Sequence, residues 1–223
     1  MAIKDVSENT VSSKDQLPRT SSRYYLGNPD ADLRILIVGN SITRHAPSPE
    51  KLGWYGDWGM AASSEEHDFV HRLASMLAED GKDALIMVRQ AATWERGHMN
   101  PDALADFLEE ERFDPDILVF RIGENVKERE NYYEHAKEFI SFICKNGKTI
   151  ITTNVWKNDF MNPLLSELSK DIGASFVDLT AVGGNDELMA TGKFEHKGVA
   201  MHPGDAGMEY IAKQIFEEIK RII

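Results

Sequence analysis

The chain has 223 residues and a formal net charge of −12, with 25 Lys and Arg against 37 Asp and Glu. Hydrophobic residues make up 42% of it, enough for a sizeable core, which excludes a wholly disordered chain. A surface this negative repels nucleic-acid phosphates and anionic lipid headgroups, so neither is an expected partner. Apolar runs fall well short of the roughly 20 residues of a bilayer helix. Met1 to Asp15 holds no apolar stretch of a secretory signal. The lone cysteine, Cys144, cannot close an intrachain disulfide. Together these point to a reducing, cytoplasmic compartment.

Residues 1–22 are polar and read as a flexible N-terminal arm, docking through Tyr24, Tyr25 and Leu26. Residues 23–223 show no linker or repeat and read as one domain. Leu33–Val38 is a buried strand. Ser63 to Asp80 is a helix, with Ser63 and Glu66 as a capping box and Phe69, Val70, Leu73, Met76 and Leu77 as its apolar stripe. Ala84–Val88 is a second strand, and Asn100 with Pro101 opens a helix. Ile117–Phe120 is a third strand, followed by a long helix to Asn146 that stops at Gly147. Thr149–Thr153 is a fourth strand, Pro163–Ile172 a helix, Ser175–Leu179 a fifth strand, and Asp205–Arg221 the closing helix. This alternation predicts a three-layer α/β/α, flavodoxin-like fold on a five-stranded, mostly parallel sheet.

In such sheets ligands bind beyond the carboxyl ends of the strands. Ser41 follows the first strand in Gly39-Asn40-Ser41-Ile42; it either caps a turn or presents a nucleophilic hydroxyl. Asn125 follows the third strand in Gly123-Glu124-Asn125; it either caps the next helix or donates its amide to an oxyanion. His202 precedes the last helix in His202-Pro203-Gly204-Asp205; it is either a surface histidine or a general base.

In their order and placement these three segments resemble the blocks of the SGNH, or GDSL-type, hydrolase superfamily. That family has Gly-Asp-Ser-Leu, then Gly-x-Asn-Asp, then Asp-x-x-His-Pro. The resemblance spans Leu33 to Ile223 and implies a serine esterase, with Ser41 as nucleophile and His202 as base. It also implies an oxyanion hole from the Ser41 amide and Asn125. The family's second block adds a glycine N–H; the matching stretch here, Arg89 to Arg96, has no glycine, and the Ala92 N–H takes that place. Asn40 and Val126 stand where the family has Asp. Three residues before His202 the family has Asp and this chain has Val199, or Lys197 if Ala200 and Met201 are an insertion. A backbone carbonyl or a water ranks first as the group that orients His202, and Glu195 second.

Trp58, Trp94 and Trp156 fall on loops at the expected active edge, as substrate-lining or as packing residues. Residues 44–62 read as a lid over Ser41. His67 and His71 have metal-ligand spacing, but without a third ligand no metal is assigned, and no cofactor is expected. Cys144 reads as inert core. The expected partner is a small-molecule ester, foremost a short acyl group such as acetyl on a carbohydrate. A lysophospholipase or thioesterase uses the same chemistry. A non-catalytic carbohydrate- or ligand-binding module on the same fold is the alternative of a different class.

Overall fold

A strand covered on both faces must be apolar at every position, and Leu33–Gly39, Leu-Arg-Ile-Leu-Ile-Val-Gly, meets that demand from Ile35 onward. In the computed structural model, which describes residues 22–223, this segment is a central strand of a six-stranded sheet. The strands are β1 (Arg23–Gly27), β2 (Leu33–Gly39), β3 (Ala84–Gln90), β4 (Ile117–Arg121), β5 (Lys148–Thr152) and β6 (Ser175–Val177). Their order is β1-β3-β2-β4-β5-β6, parallel throughout except for β1, which runs antiparallel to β3. The five parallel strands have the flavodoxin-type doubly wound order.

The expected count of five strands is corrected to six. Tyr24–Leu26, expected to dock as part of an arm, instead pairs in register with β3, Tyr24 opposite Val88. The open edge of β3 offers unpaired backbone groups that a short neighbouring segment can satisfy. Tyr24 is buried, with the Arg44 guanidinium 5.1 Å from its ring centre. Apart from Ser22, the 1–22 arm lies outside the described residues.

The helices are α1 (Pro49–Leu52), α2 (Phe69–Glu79), α3 (Ala92–Gly97), α4 (Leu108–Phe113), α5 (Tyr132–Ile143), α6 (Met161–Asp171), α7 (Thr180–Gly183), α8 (Lys197–Ala200) and α9 (Asp205–Ile222). Alternate residues of each strand serve opposite layers. Ile35, Ile37 and Val88 pack with Phe69 and Leu73 of α2 and Ile211 and Ile215 of α9. Leu36, Val38 and Phe120 pack with Phe139 of α5, Leu165 of α6 and Trp94 of α3. Each such side chain, fully buried, contributes about 1.5–3 kcal/mol of hydrophobic free energy.

Two helix starts differ from expectation. α2 begins at Phe69 rather than Ser63, because Asp68 is the better cap. Asp68 Oδ1 accepts from the His71 N–H at 2.8 Å while its Oδ2 accepts from the Gly59 N–H at 3.0 Å. Ser63 instead donates through N and Oγ to Asp205, at 2.8 and 2.7 Å. Asn100 and Pro101 open a turn, and the helix there begins only at Leu108. The helix expected to reach Asn146 ends at Ile143, with Cys144 buried just beyond it. Ala92–Gly97, read as loop, is helical; a six-residue segment is too short to show a helical period.

Candidate active site

β2 is where the chain changes direction across the sheet, with β3 on one side and β4 on the other. The crevice beyond its carboxyl end is the expected ligand position. β2 ends at Gly39, where any Cβ would stand 1.7 Å from Thr43 Oγ1. That bare position lets the chain fold back, with the N–H groups of Thr43 and Arg44 donating to Asn40 O at 3.0 and 2.9 Å. The tight turn holds Ser41 at the sheet edge.

Ser41 Oγ lies 2.8 Å from His202 Nε2, and His202 Nδ1 lies 2.8 Å from the carbonyl oxygen of Gly198. A carbonyl only accepts, so Nδ1 carries the proton and Nε2 offers its lone pair to the serine hydroxyl. Burial pushes the His202 pKa down to about 4, against the upward pull of the Gly198 carbonyl and Glu124; His45 and Arg121 add to the fall. Val199 is fully buried, packed with Trp54, Met60, Ala61 and Ala190. Glu195 is exposed and neither hydrogen bond of the His202 ring goes to it.

A cavity of about 240 Å³ opens over this pair, lined by Ser41, Ala92, Asn125 and His202 among others. The N–H groups of Ser41 and Ala92 have no protein acceptor among the described residues. For Ala92 this follows from its place as first residue of α3, where helix N–H groups have no intrahelical partner. The Asn125 amide gives one hydrogen to Glu95 Oε2 at 2.7 Å and has a second to spare.

Beneath the cavity floor lies a buried polar cluster. Arg121, at the end of β4, is fully buried and pairs with Glu124 at 2.9 Å. Glu95 of α3, also fully buried, accepts from the N–H groups of Gly123 at 2.5 Å and Asn125 at 3.4 Å. Gly123 has a φ of +143°, and a Cβ there would lie 2.5 Å from Asn154 Oδ1. Burial, and then the charge of Glu124, raises the Glu95 pKa; the bonds from Gly123, Asn125 and Asn40 oppose that rise.

Asn40 joins the two acids. Its Nδ2 donates to Glu124 Oε2 at 2.6 Å and to Glu95 Oε1 at 3.3 Å. Its Oδ1 accepts from Arg121 at 2.7 Å and from the Ile42 N–H at 3.2 Å. Both ends of the amide are therefore specified: only Asn supplies two donors toward carboxylates and an acceptor toward the arginine.

No protein-family model matches this sequence, and no curated protein matches it. Solved structures do. A family two carbohydrate esterase from Cellvibrio japonicus superposes with a TM-score of 0.54 at 15% identity, over 88% of this chain and 63% of that one. A two-domain esterase active on acetylated mannans gives 0.55 at 17% identity, over 85% of this chain and 49% of that one. A member of the lipolytic G-D-S-L family from Veillonella parvula DSM 2008 gives 0.54 at 12% identity, over 85% and 99%. The chain has the SGNH/GDSL hydrolase fold.

On this GDSL-type fold, Ser41, Ala92, Asn125 and His202 meet at one cavity although they are separated by up to 161 positions in sequence. None of the three tryptophans is among the residues that line this cavity. Trp94 is buried between the sheet and α5, 4.5 Å from the Phe139 ring, because the segment carrying it is a helix whose inner face meets the core. Trp58 donates its indole N–H to Ala62 O at 2.9 Å and packs on Trp54 rather than facing the cavity. Trp156 stands edge-on to His202, ring centres 6.1 Å apart. The 44–62 segment is a stapled wall: Arg44 pairs with Asp57 and Met60 N donates to Ser41 O. His67 Nδ1 lies 2.7 Å from Ser63 Oγ, whose own hydrogen goes to Asp205, and His71 bonds Asp68, so the pair serves local structure. Glu95 and Arg121 were not singled out from sequence; a charged residue closing an apolar strand was the available signal for Arg121.

Asn40→Asp places a third carboxylate against Glu95 and Glu124 and removes two donors. Urea unfolding at neutral pH is expected to show a loss of about 3 kcal/mol. The loss should shrink as pH falls, because protonating the new carboxyl restores one donor. An unchanged midpoint would contradict the role assigned to this amide.

Proposed function

We propose that the protein is a serine esterase acting on a short acyl ester. The observation that carries this reading is the 2.8 Å contact of Ser41 Oγ with a His202 whose far nitrogen is held by Gly198 O. In this reading Ser41 attacks the ester carbonyl and passes its proton to Nε2. The oxyanion that forms is met by the N–H groups of Ser41 and Ala92 and by the free hydrogen of Asn125 Nδ2. His202 then gives its proton to the departing alcohol, and a water activated by the same nitrogen releases the acid. No metal or other cofactor enters these steps.

The small cavity supports a short acyl group such as acetyl over a lysophospholipid chain. The likeness to carbohydrate esterases supports an alcohol part of carbohydrate type. A cytoplasmic, reducing setting accords with one buried, unpaired cysteine. A binding module without turnover is the second reading, favoured by the carbonyl, in place of a carboxylate, that meets His202 Nδ1 among the described residues.

A fluorophosphonate probe should label Ser41, and Ser41→Ala should abolish both labelling and hydrolysis of p-nitrophenyl acetate while the circular dichroism spectrum is kept. Unlabelled, correctly folded protein would favour the binding module.

His202 must be neutral to accept the serine proton. With its pKa lowered to about 4, activity is present above that value and lost as pH falls through it. The acid limb of kcat/KM should therefore lie near pH 4 rather than 6.5. A limb at 6.5 would contradict the burial argument.

Glu195→Gln should change kcat by less than about tenfold, ~1.4 kcal/mol of barrier. A thousandfold loss at unchanged stability would make Glu195 a member of the catalytic set.

A further inference from the structure

The cavity over Ser41 differs in charge from the chain that builds it. Acids outnumber Lys and Arg by 37 to 25, yet no carboxylate lines the cavity; Arg96, His45 and His196 do. Arg96 lies on α3 four residues after Ala92, so both project from the same side of that helix. It is exposed and has no carboxylate partner among the described residues. Every other described arginine has a carboxylate within 4.0 Å or lies over a phenylalanine ring. In a chain with twelve acids in excess, a cation left open at the mouth of the reactive serine is set apart from its kind.

We infer that Arg96 is a specificity residue, and that the preferred ester carries an anionic group, a carboxylate or phosphate, which the Arg96 guanidinium binds. This rests on the esterase reading of the same site. A guanidinium presents a fork of N–H donors that matches such a group in two parallel bonds. The surrounding negative surface repels anions at long range, so recognition comes from the contact rather than from steering. The anion can sit on the acid or on the alcohol part of the ester.

Binding separates this inference from turnover. Calorimetry on Ser41→Ala protein compares methyl hemisuccinate with dimethyl succinate, an anion on the acyl side, and O-acetyl-lactate with its methyl ester, an anion on the alcohol side. In one arm the anionic ligand is expected to bind about tenfold more tightly than its neutral twin, more so at low salt. That arm names the side. Adding Arg96→Gln should bring the two ligands together, and Arg96→Lys should restore part of the difference. Equal binding of charged and neutral ligands in both arms, or a preference that survives Arg96→Gln, would overturn the inference. Failure of the esterase reading shows separately, as absence of Ser41 labelling by the fluorophosphonate probe.

Discussion

The pairing of Arg121 with Glu124 beneath the sheet edge is the constraint on which the site depends. An arginine with no exposed surface cannot be left alone, since breaking such a pair costs about 3–5 kcal/mol. One carboxylate neutralises it, but a second, Glu95, lies in the same cluster and gains four donors instead of a cation. Those donors come from Asn40, next to Ser41, and from Gly123 and Asn125 on the β4 loop. The cluster therefore ties three segments to one another: the turn after β2, the start of α3 and the loop after β4. These same segments carry Ser41, Ala92 and Asn125. The asparagine beside the serine has its reason here, because an aspartate would be a third acid where two must already be satisfied.

His202 is held by a different device. A carboxylate behind an imidazole both fixes the tautomer and stabilises the imidazolium; a carbonyl fixes the tautomer as well but offers only a dipole to the charge. The Gly198 carbonyl thus orients the ring while leaving its pKa low. Val199, three residues before His202, packs into an apolar cluster with Trp54 and Met60 from the 44–62 segment. Val199 is thereby an anchor between the loop holding His202 and the wall over Ser41. Rigidity at this point comes from packing rather than from a third charged group.

Much of the architecture was legible in the chain. Long apolar runs such as Leu33–Val38 and Ile117–Phe120 had to be strands covered on both faces, and strand–helix alternation leaves few topologies other than a parallel, doubly wound sheet. Ser41, Asn125 and His202 were legible because each stands directly after a strand or before a helix, within short segments that resemble family blocks. The short elements were not legible. β1 exists because β3 has an open edge, α2 starts at Phe69 because Gly59 offers its cap Asp68 a second donor, and Ala92–Gly97 is too brief for its period to show.

The sequence by itself determined the layers, the mostly parallel sheet and the identity of the residues at the carboxyl edge, since hydrophobic period and strand-end position are local properties. Only the tertiary structure decided which groups face one another: that Asn40 bridges two acids, that Trp94 turns into the core, that Gly198 rather than Glu195 meets His202, and that Arg96 stands open. These are contacts between segments distant in sequence, and hydrogen-bond partnership in a buried site is set by directions and distances of a few ångströms that no single segment encodes.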